Sequence, residues 1–275
     1  MTGDGLPILA ALVQTMIASG TPLILIGIGV LVVEQAGVLN LGVEGMAAVG
    51  ALVAFAVFAG VGNVTLGLLA AGIAGGGVAL IFALVTQYWR GNQTVAGLGV
   101  TLGCLGLTSW LGRDYDSVIL TPSPGSPFGG SLLGQPPLVY LAVLMLFATG
   151  WGLRNHLWGW MVRACGESPQ SVNGFGLRPS VIRSAAILYG GVTAGLGGGY
   201  VSLYVLGQWQ SNPLMGRGWI ALALAGLAGL RPLRLLLAAY GFGAVSGLSL
   251  TLQASGTGLG FGLSPHFMNA LPYCA

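Results

Sequence analysis

Residues 34–45 read Glu34-Gln-Ala-Gly-Val-Leu-Asn-Leu-Gly-Val-Glu-Gly45 and interrupt an otherwise apolar first third of the chain. Glu34 and Glu44 are the only charged residues between Asp4 and Arg90, and apolar sequence long enough to cross a membrane lies on both sides. A carboxylate in or beside hydrocarbon is costly in free energy. Two glutamates that frame a Gly/Asn break therefore indicate a functional site, a pathway or a packing joint, rather than a simple loop.

The composition of the whole chain is that of a membrane protein. The 275 residues are 55% hydrophobic and only 5% charged, and the mean hydropathy is +0.86. A soluble domain would carry about 25% charged residues. Apolar runs of about 20 residues recur, whereas the short alternating segments of a β-barrel do not. The sequence predicts an all-α, polytopic membrane protein, and its 50 glycines fit closely packed transmembrane helices.

The apolar runs divide the chain into predicted membrane elements. Full spans are predicted at 6–33, 45–60, 64–88, 94–112, 137–153, 182–206 and 233–253. The shorter piece Gly218–Leu230 is half a span, which is typical of a re-entrant or broken helix. Such an element is tolerated only where protein or a water-filled cavity covers its ends.

The nine basic residues are all arginines, and their placement predicts the orientation. The loop 154–184 holds four arginines against one acid, Glu167, and is therefore cytoplasmic by the positive-inside rule. Arg90 then lies on the cytoplasmic side as well. The Pro/Gly/Ser-rich stretch 113–136 and the N-terminus are expected on the outer side.

Several kinds of active site are missing from the sequence. A chain without lysine cannot form the GxxxxGK[ST] phosphate loop, and neither HExxH nor GxSxG occurs. The three cysteines are far apart, so neither a metal site nor a disulfide framework is expected. No cleaved signal peptide is predicted. An intramembrane enzyme would lack a nucleophile–base pair, and transport or scaffolding is the better interpretation.

The cytoplasmic loop contains the signals of a short surface helix. Ser168 can cap its N-terminus, Pro169 suits the first helical position, and Gly174 or Gly176 can provide a left-handed stop. One to two turns are too short to be stable alone in water. The helix is therefore expected to dock against the chain's own helices or a partner, with an ordinary loop as the alternative.

Three strings resemble the signatures of one transporter family. Residues 34–46 resemble E-x-x-G-V-x-N-[IL]-G-x-E-G-M, Arg163–Pro169 resembles R-A-x-G-E-x-P, and Gly216–Ala223 resembles G-R-G-[FWY]-I-A-L-A. These signatures are typical of permeases of ABC importers for nucleosides and related solutes. The chain is thus similar to the nucleoside, simple sugar and branched-chain amino acid permease superfamily, and closest to its nucleoside-type members.

The resemblance implies a type II importer fold with about seven to nine transmembrane or re-entrant helices in one permease domain, 1–275. It implies a second permease subunit, identical or homologous, and a cytoplasmic ABC ATPase that binds ATP and Mg. It further implies an extracytoplasmic solute-binding protein and a place in the bacterial inner membrane. No catalysis, directly bound cofactor or nucleic-acid partner is expected of this chain.

The implied function is ATP-driven import of a small polar solute by alternating access, with a nucleoside or purine preferred. A simple sugar, riboflavin-like or branched-chain amino acid permease is the alternative within the family. A stand-alone secondary transporter or channel is the alternative from another class. The family commonly continues past a Leu-Pro-Tyr string into a final apolar span, whereas the given sequence ends at Leu271–Ala275. That span is therefore expected to be missing or its face covered by the partner.

The resemblance also assigns residues to roles. The residues expected to couple the permease to the ATPase are Arg163, Gly166, Glu167, Ser168, Pro169, Gln170, Val172 and Gly174. The residues expected at the translocation path or helix break are Glu34, Asn40, Gly42, Glu44 and Gly45. Two interpretations of the glutamates stay open: they hydrogen-bond the break and position the gate, or they cap helix ends at headgroup level.

Overall fold

The structure is a computed structural model that describes residues 5–116, 118–120 and 135–254. The described residues form ten α-helices. They are α1 (Gly5–Gln35), α2 (Val43–Val61), α3 (Val64–Ala83), α4 (Gln93–Leu111), α5 (Pro137–Asn155), α6 (Leu157–Glu167), α7 (Pro169–Gly174), α8 (Pro179–Tyr200), α9 (Arg217–Leu227) and α10 (Pro232–Ala254). The predicted outer run 121–127 and the C-terminal string 271–275 lie outside the described residues.

The predicted all-α membrane architecture is confirmed. Within the described ranges, the five helices α1 to α5 are long and apolar enough to cross a membrane. Helices α8 and α10, of 22 and 23 residues, occupy the predicted spans 182–206 and 233–253. The predicted half-span is the 11-residue helix α9. Every predicted membrane element therefore has a helix within a few residues of its expected bounds.

Helix α8 forms the centre of the bundle and packs against α1, α2 and α3. Its glycines allow this close packing, because they leave no side chain between the backbones. A Cβ on Gly195 would meet the Ala71 carbonyl of α3, and a Cβ on Gly198 would meet the Ala47 carbonyl of α2. The small-residue spacings in α8 thus serve helix packing, and dispersion contacts between the backbones stabilise the bundle.

On the predicted outer side, the segments that follow α4 and α8 pair with each other and pack against an aromatic side chain of α2. Residues 201–206 continue α8 as a π-helical turn, which ends at the left-handed Gly207. The loop that follows pairs with the segment after α4 through isolated bridges between Asp116 and Trp209 and between Ile119 and Gln208. Phe55 of α2 contacts the Trp209 ring at a centroid distance of 5.9 Å. The loop 207–216, which leads into α9, is therefore anchored at this end of the bundle.

The close approach of α8 and α2 predicts the effect of one methyl group. Gly198→Ala is expected to lower stability by about 1–3 kcal/mol, because overpacking forces two backbones apart. The matched control is Gly77→Ala on α3, where a Cβ would meet nothing within 4 Å. Thermal denaturation of the purified protein in detergent measures both. Equal melting temperatures for the two variants would contradict the packing described here.

Candidate functional site

The break between α1 and α2 is an ordered turn. Gly37 has a φ of +76°, a left-handed conformation that favours glycine. The Asn40 side chain, which is 4% exposed, accepts a hydrogen bond of 3.0 Å from the Gly42 N–H. It also donates to the Met46 sulfur at 3.5 Å. Asn40 therefore satisfies its polar atoms locally and sets the start of α2, as expected for a residue at a helix break.

Helix α4 supports the same break along its first turns. The Thr101 hydroxyl donates to the Leu41 carbonyl at 2.8 Å, and the Leu39 N–H donates to Gln93 Oε1 at 2.9 Å. A Cβ on Gly45 would lie 2.8 Å from the Thr101 Cα, so only glycine permits this contact. Backbone groups freed by the break thus find partners on α4, which is what an interruption at membrane depth requires.

Glu44 lies in the first turn of α2 and caps a different helix, α9. Its side chain is 2% exposed. One carboxylate oxygen accepts a hydrogen bond of 2.8 Å from the Gly216 N–H, and the other accepts one of 2.6 Å from the Gly218 N–H. The Trp219 N–H and the Arg217 charge also stabilise the carboxylate. A buried negative charge is favourable here because the N-terminus of a helix carries unpaired donors and partial positive charge.

The two framing glutamates therefore differ. Glu44 takes the capping role that one of the two interpretations gave it, but the capped end belongs to α9 and the carboxylate is buried within the protein. Glu34 is half-buried, and within the described ranges its carboxylate makes no hydrogen bond. The side-chain amide of the neighbouring Gln35 instead donates a hydrogen bond of 3.0 Å to the Leu230 carbonyl. The end of α1 thus holds the turn after α9, where Leu230 has a strained φ of +56°.

The short helix predicted within the loop 154–184 is confirmed as α7. Ser168 precedes it in extended conformation, and its hydroxyl accepts a hydrogen bond of 3.3 Å from the Ser171 N–H. Pro169 occupies the first position. Of the two proposed stops, Gly176 is left-handed, with a φ of +77°. The local signals in the sequence were therefore sufficient for this element.

The predicted coupling residues divide into an inner and an outer set. Gly166 lies in α6, where a Cβ would meet the Gln35 carbonyl, so it forms the contact between α6 and the end of α1. Arg163 is half-buried, and its guanidinium carbon lies 4.7 Å from the centroid of the Trp160 ring. Val172 is 3% exposed and anchors α7. The exposed members of the predicted set are Glu167, Gln170 and Gly174, with Ser168 and Pro169 partly exposed.

Arg183 fastens this contact from α8. Its Nε donates to the Ala36 carbonyl at 3.0 Å, and its Nη2 donates to the Cys165 carbonyl at 3.2 Å. The side chain thus joins the helix break to α6. Burial raises the pKa of the Cys165 thiol, while the Arg183 charge lowers it, and the thiol stays protonated at neutral pH. Sequence reasoning missed Arg183, which was counted only as one of the basic residues of the loop.

A second residue that sequence reasoning missed is Phe175. Its side chain is 85% exposed and follows α7 directly. A phenylalanine between two glycines in a polar loop was the available signal. Phenylalanine is one of the residue types that are enriched in protein–protein interfaces. The segment that follows α7 therefore exposes two large apolar side chains, Phe175 and, at 42%, Leu177.

Comparison with known proteins identifies the family. The family model described as "Branched-chain amino acid transport system / permease component" matches residues 12–271. The chain belongs to this family. The resemblance seen in the three sequence strings is thereby confirmed, and the protein is a multi-pass permease subunit of an ABC importer.

The relatives of this ABC permease are also named as permeases. A putative glucose ABC transporter permease protein of Haloferax volcanii is 36% identical over 89% of this chain and 78% of its own length. A guanosine ABC transporter permease protein of Bacillus subtilis is 30% identical over 90% of this chain and 84% of its own length. A nucleoside ABC transporter permease protein of Lactococcus lactis is 29% identical over 88% of this chain and 83% of its own length. No solved structure matches the chain.

The Glu44 cap predicts a clear difference between the two glutamates. In Glu44→Gln, an amide NH2 replaces one acceptor oxygen and opposes a backbone N–H of α9 at Gly216 or Gly218. We expect a loss of about 2–3 kcal/mol of stability, because a buried donor loses a charged partner. Glu34→Gln, the matched control, removes no hydrogen bond seen in the described residues and is expected to melt near the wild-type temperature. The Glu44 assignment is wrong if both variants melt alike.

Proposed function

We propose that this permease imports a nucleoside or a purine by alternating access, driven by ATP hydrolysis on a separate ABC ATPase. The observation that carries the mechanism is the joint of Gln35, Gly37, Gly166 and Arg183, which connects the helix break to the cytoplasmic helices α6 and α7. The preference for a nucleoside rests on the two relatives named as guanosine and nucleoside permeases.

In the proposed coupling step, the ATPase holds the exposed side of α7. Phe175, Glu167 and Gln170 face away from the bundle and form the contact, with Ser168, Pro169 and Gly174 shaping the helix. Val172 is buried, so it transmits a displacement of α7 to the rest of the chain. Arg163 and Gly166 act from within α6, because Gly166 lies directly against the end of α1. ATP and Mg bind the ATPase, and this chain catalyses no reaction.

In the proposed transport step, the break moves with α6 and carries α9 with it. Glu44 ties α9 to α2 through two short hydrogen bonds, and Gln35 ties the other end of α9 to α1. The half-helix is therefore held at both ends by the segment that contains Glu34, Asn40, Gly42, Glu44 and Gly45. We place this segment beside the solute path, where a movement of the break changes access to it.

The remaining subunits follow from the same proposal. A second permease subunit completes the pathway. An extracytoplasmic binding protein delivers the solute and determines most of the substrate selectivity. The chain acts as one transmembrane domain, 1–275, whose coupling loop lies at about 154–183, in a bacterial inner membrane with that loop in the cytoplasm.

The coupling contact is tested with Phe175→Ala and with Glu167→Gln/Ser168→Ala in the transporter reconstituted in proteoliposomes. We expect solute uptake per ATP hydrolysed to fall on the order of tenfold, because aromatic side chains are enriched in protein interfaces and truncating a contributing one commonly costs about 1 kcal/mol or more. Trp89→Ala is the matched control, since Trp89 is 77% exposed on the same predicted side but belongs to neither α6 nor α7. Normal uptake by the coupling variants would refute this assignment of α7.

The solute is tested in the same proteoliposomes with labelled guanosine, adenosine and glucose. We expect ATP-dependent uptake of a nucleoside and no glucose uptake. Glucose uptake alone would overturn the nucleoside proposal in favour of a sugar permease, which the relative from Haloferax volcanii supports. Uptake by the permease without its ATPase would identify a secondary transporter or channel and overturn the ATP-driven mechanism.

A further inference from the structure

A basic cleft of about 950 Å³ opens where α5, α6 and the α9–α10 turn converge on the end of α1. Four of the nine arginines line it, namely Arg154, Arg163, Arg231 and Arg234. Among the residues that the structure describes, no carboxylate lines it. The arginines come from three different parts of the chain, so the charge is concentrated by the fold and exceeds what any one stretch of sequence provides.

Two polar atoms in this cleft lack a partner. Arg163 Nη2 and Gln35 Oε1 are both buried and have no hydrogen-bond partner among the described residues. Buried polar atoms are normally paired, and an exception calls for an explanation such as a ligand. A ligand that accepts a hydrogen bond from an arginine and donates one to an amide oxygen would satisfy both. A phosphate that carries a neighbouring hydroxyl group has this combination of acceptor and donor.

One wall of the cleft is apolar and changes character along α5. Phe147, Trp151 and Arg154 follow one another at spacings of four and three residues, so they share one face of the helix. Phe147 is 49% exposed and Trp151 60% exposed. The face runs from an apolar ring through an indole to a cation at the helix end. This order matches a lipid at a membrane interface, with acyl chain, glycerol region and headgroup.

The solute proposed above is uncharged, and four arginines do not match it. We propose that the cleft binds a phosphate group, and that this phosphate is the headgroup of an anionic phospholipid of the cytoplasmic leaflet. Its arginines hold the phosphate, and Phe147 and Trp151 hold the apolar part. A headgroup with free hydroxyls, such as that of phosphatidylglycerol, also pairs the Gln35 oxygen.

The test is native mass spectrometry of the full-length permease, purified with its transporter subunits and offered phosphatidylglycerol or phosphatidylcholine. We expect selective retention of phosphatidylglycerol. Arg231→Gln/Arg234→Gln should reduce that retention on the order of tenfold or more, because each arginine near an anionic lipid contributes roughly fivefold to binding. Both residues are exposed, so the double variant should fold normally, and its size-exclusion profile checks this. Arg154→Gln is a second, independent variant with the same expected direction.

The matched control is Arg178→Gln, an exposed arginine on the same side that does not line the cleft. Its lipid retention should equal that of the wild type. Equal loss in the control, or unchanged retention in both cleft variants, would overturn the proposal.

A separate arm adds inorganic phosphate at about 1 mM, a concentration too low to screen surface charge strongly. Displacement of the lipid by phosphate, without preference for phosphatidylglycerol, would show that free phosphate occupies the cleft. Loss of the ATPase subunit from the cleft variants, with no lipid preference in the wild type, would assign the arginines to the subunit contact and refute the lipid site.

Discussion

The Glu44 carboxylate connects the break between α1 and α2 to the half-length helix α9. It belongs to the first turn of α2, yet its oxygens accept hydrogen bonds of 2.8 and 2.6 Å from the first N–H groups of α9. A short helix whose N-terminus is buried against α2 must satisfy its unpaired N–H groups within the protein, because lipid provides no acceptors. One side chain therefore satisfies the N-terminus of the half-length helix, to which the loop 207–216 leads.

The same need for partners organises the rest of the break. Asn40, Thr101 and Arg183 each direct side-chain groups at backbone atoms that no regular helix satisfies. These bonds arise from three different elements, so the break is fixed from several sides. In the proposed mechanism this rigidity is what lets the joint pass a movement of α7 to α9, because a displacement of α6 cannot be absorbed by a loose loop.

Much of this fold could be predicted from the sequence, because long apolar runs define helices in a membrane with little ambiguity. The break at residues 34–45 was also visible, since charge and glycine are conspicuous there. The partners of Glu44 were not visible, because Gly216 and Gly218 are distant in sequence and contribute backbone groups. Arg183 was hidden for the same reason: its acceptors are carbonyls, which every residue has. Likewise, the division of the predicted coupling residues into buried and exposed sets depends on how α6 packs against α1.

The two carbonyl acceptors of Arg183 have a consequence for how this permease can vary. An ion pair needs a particular acidic residue at a particular position, and a surface pair weakens with salt. The Ala36 and Cys165 carbonyls are contributed by the main chain and stay acceptors at any pH. Side chains at these two positions are therefore free to diverge between related transporters, within the limits of burial, while the arginine and the path of the backbone preserve the joint.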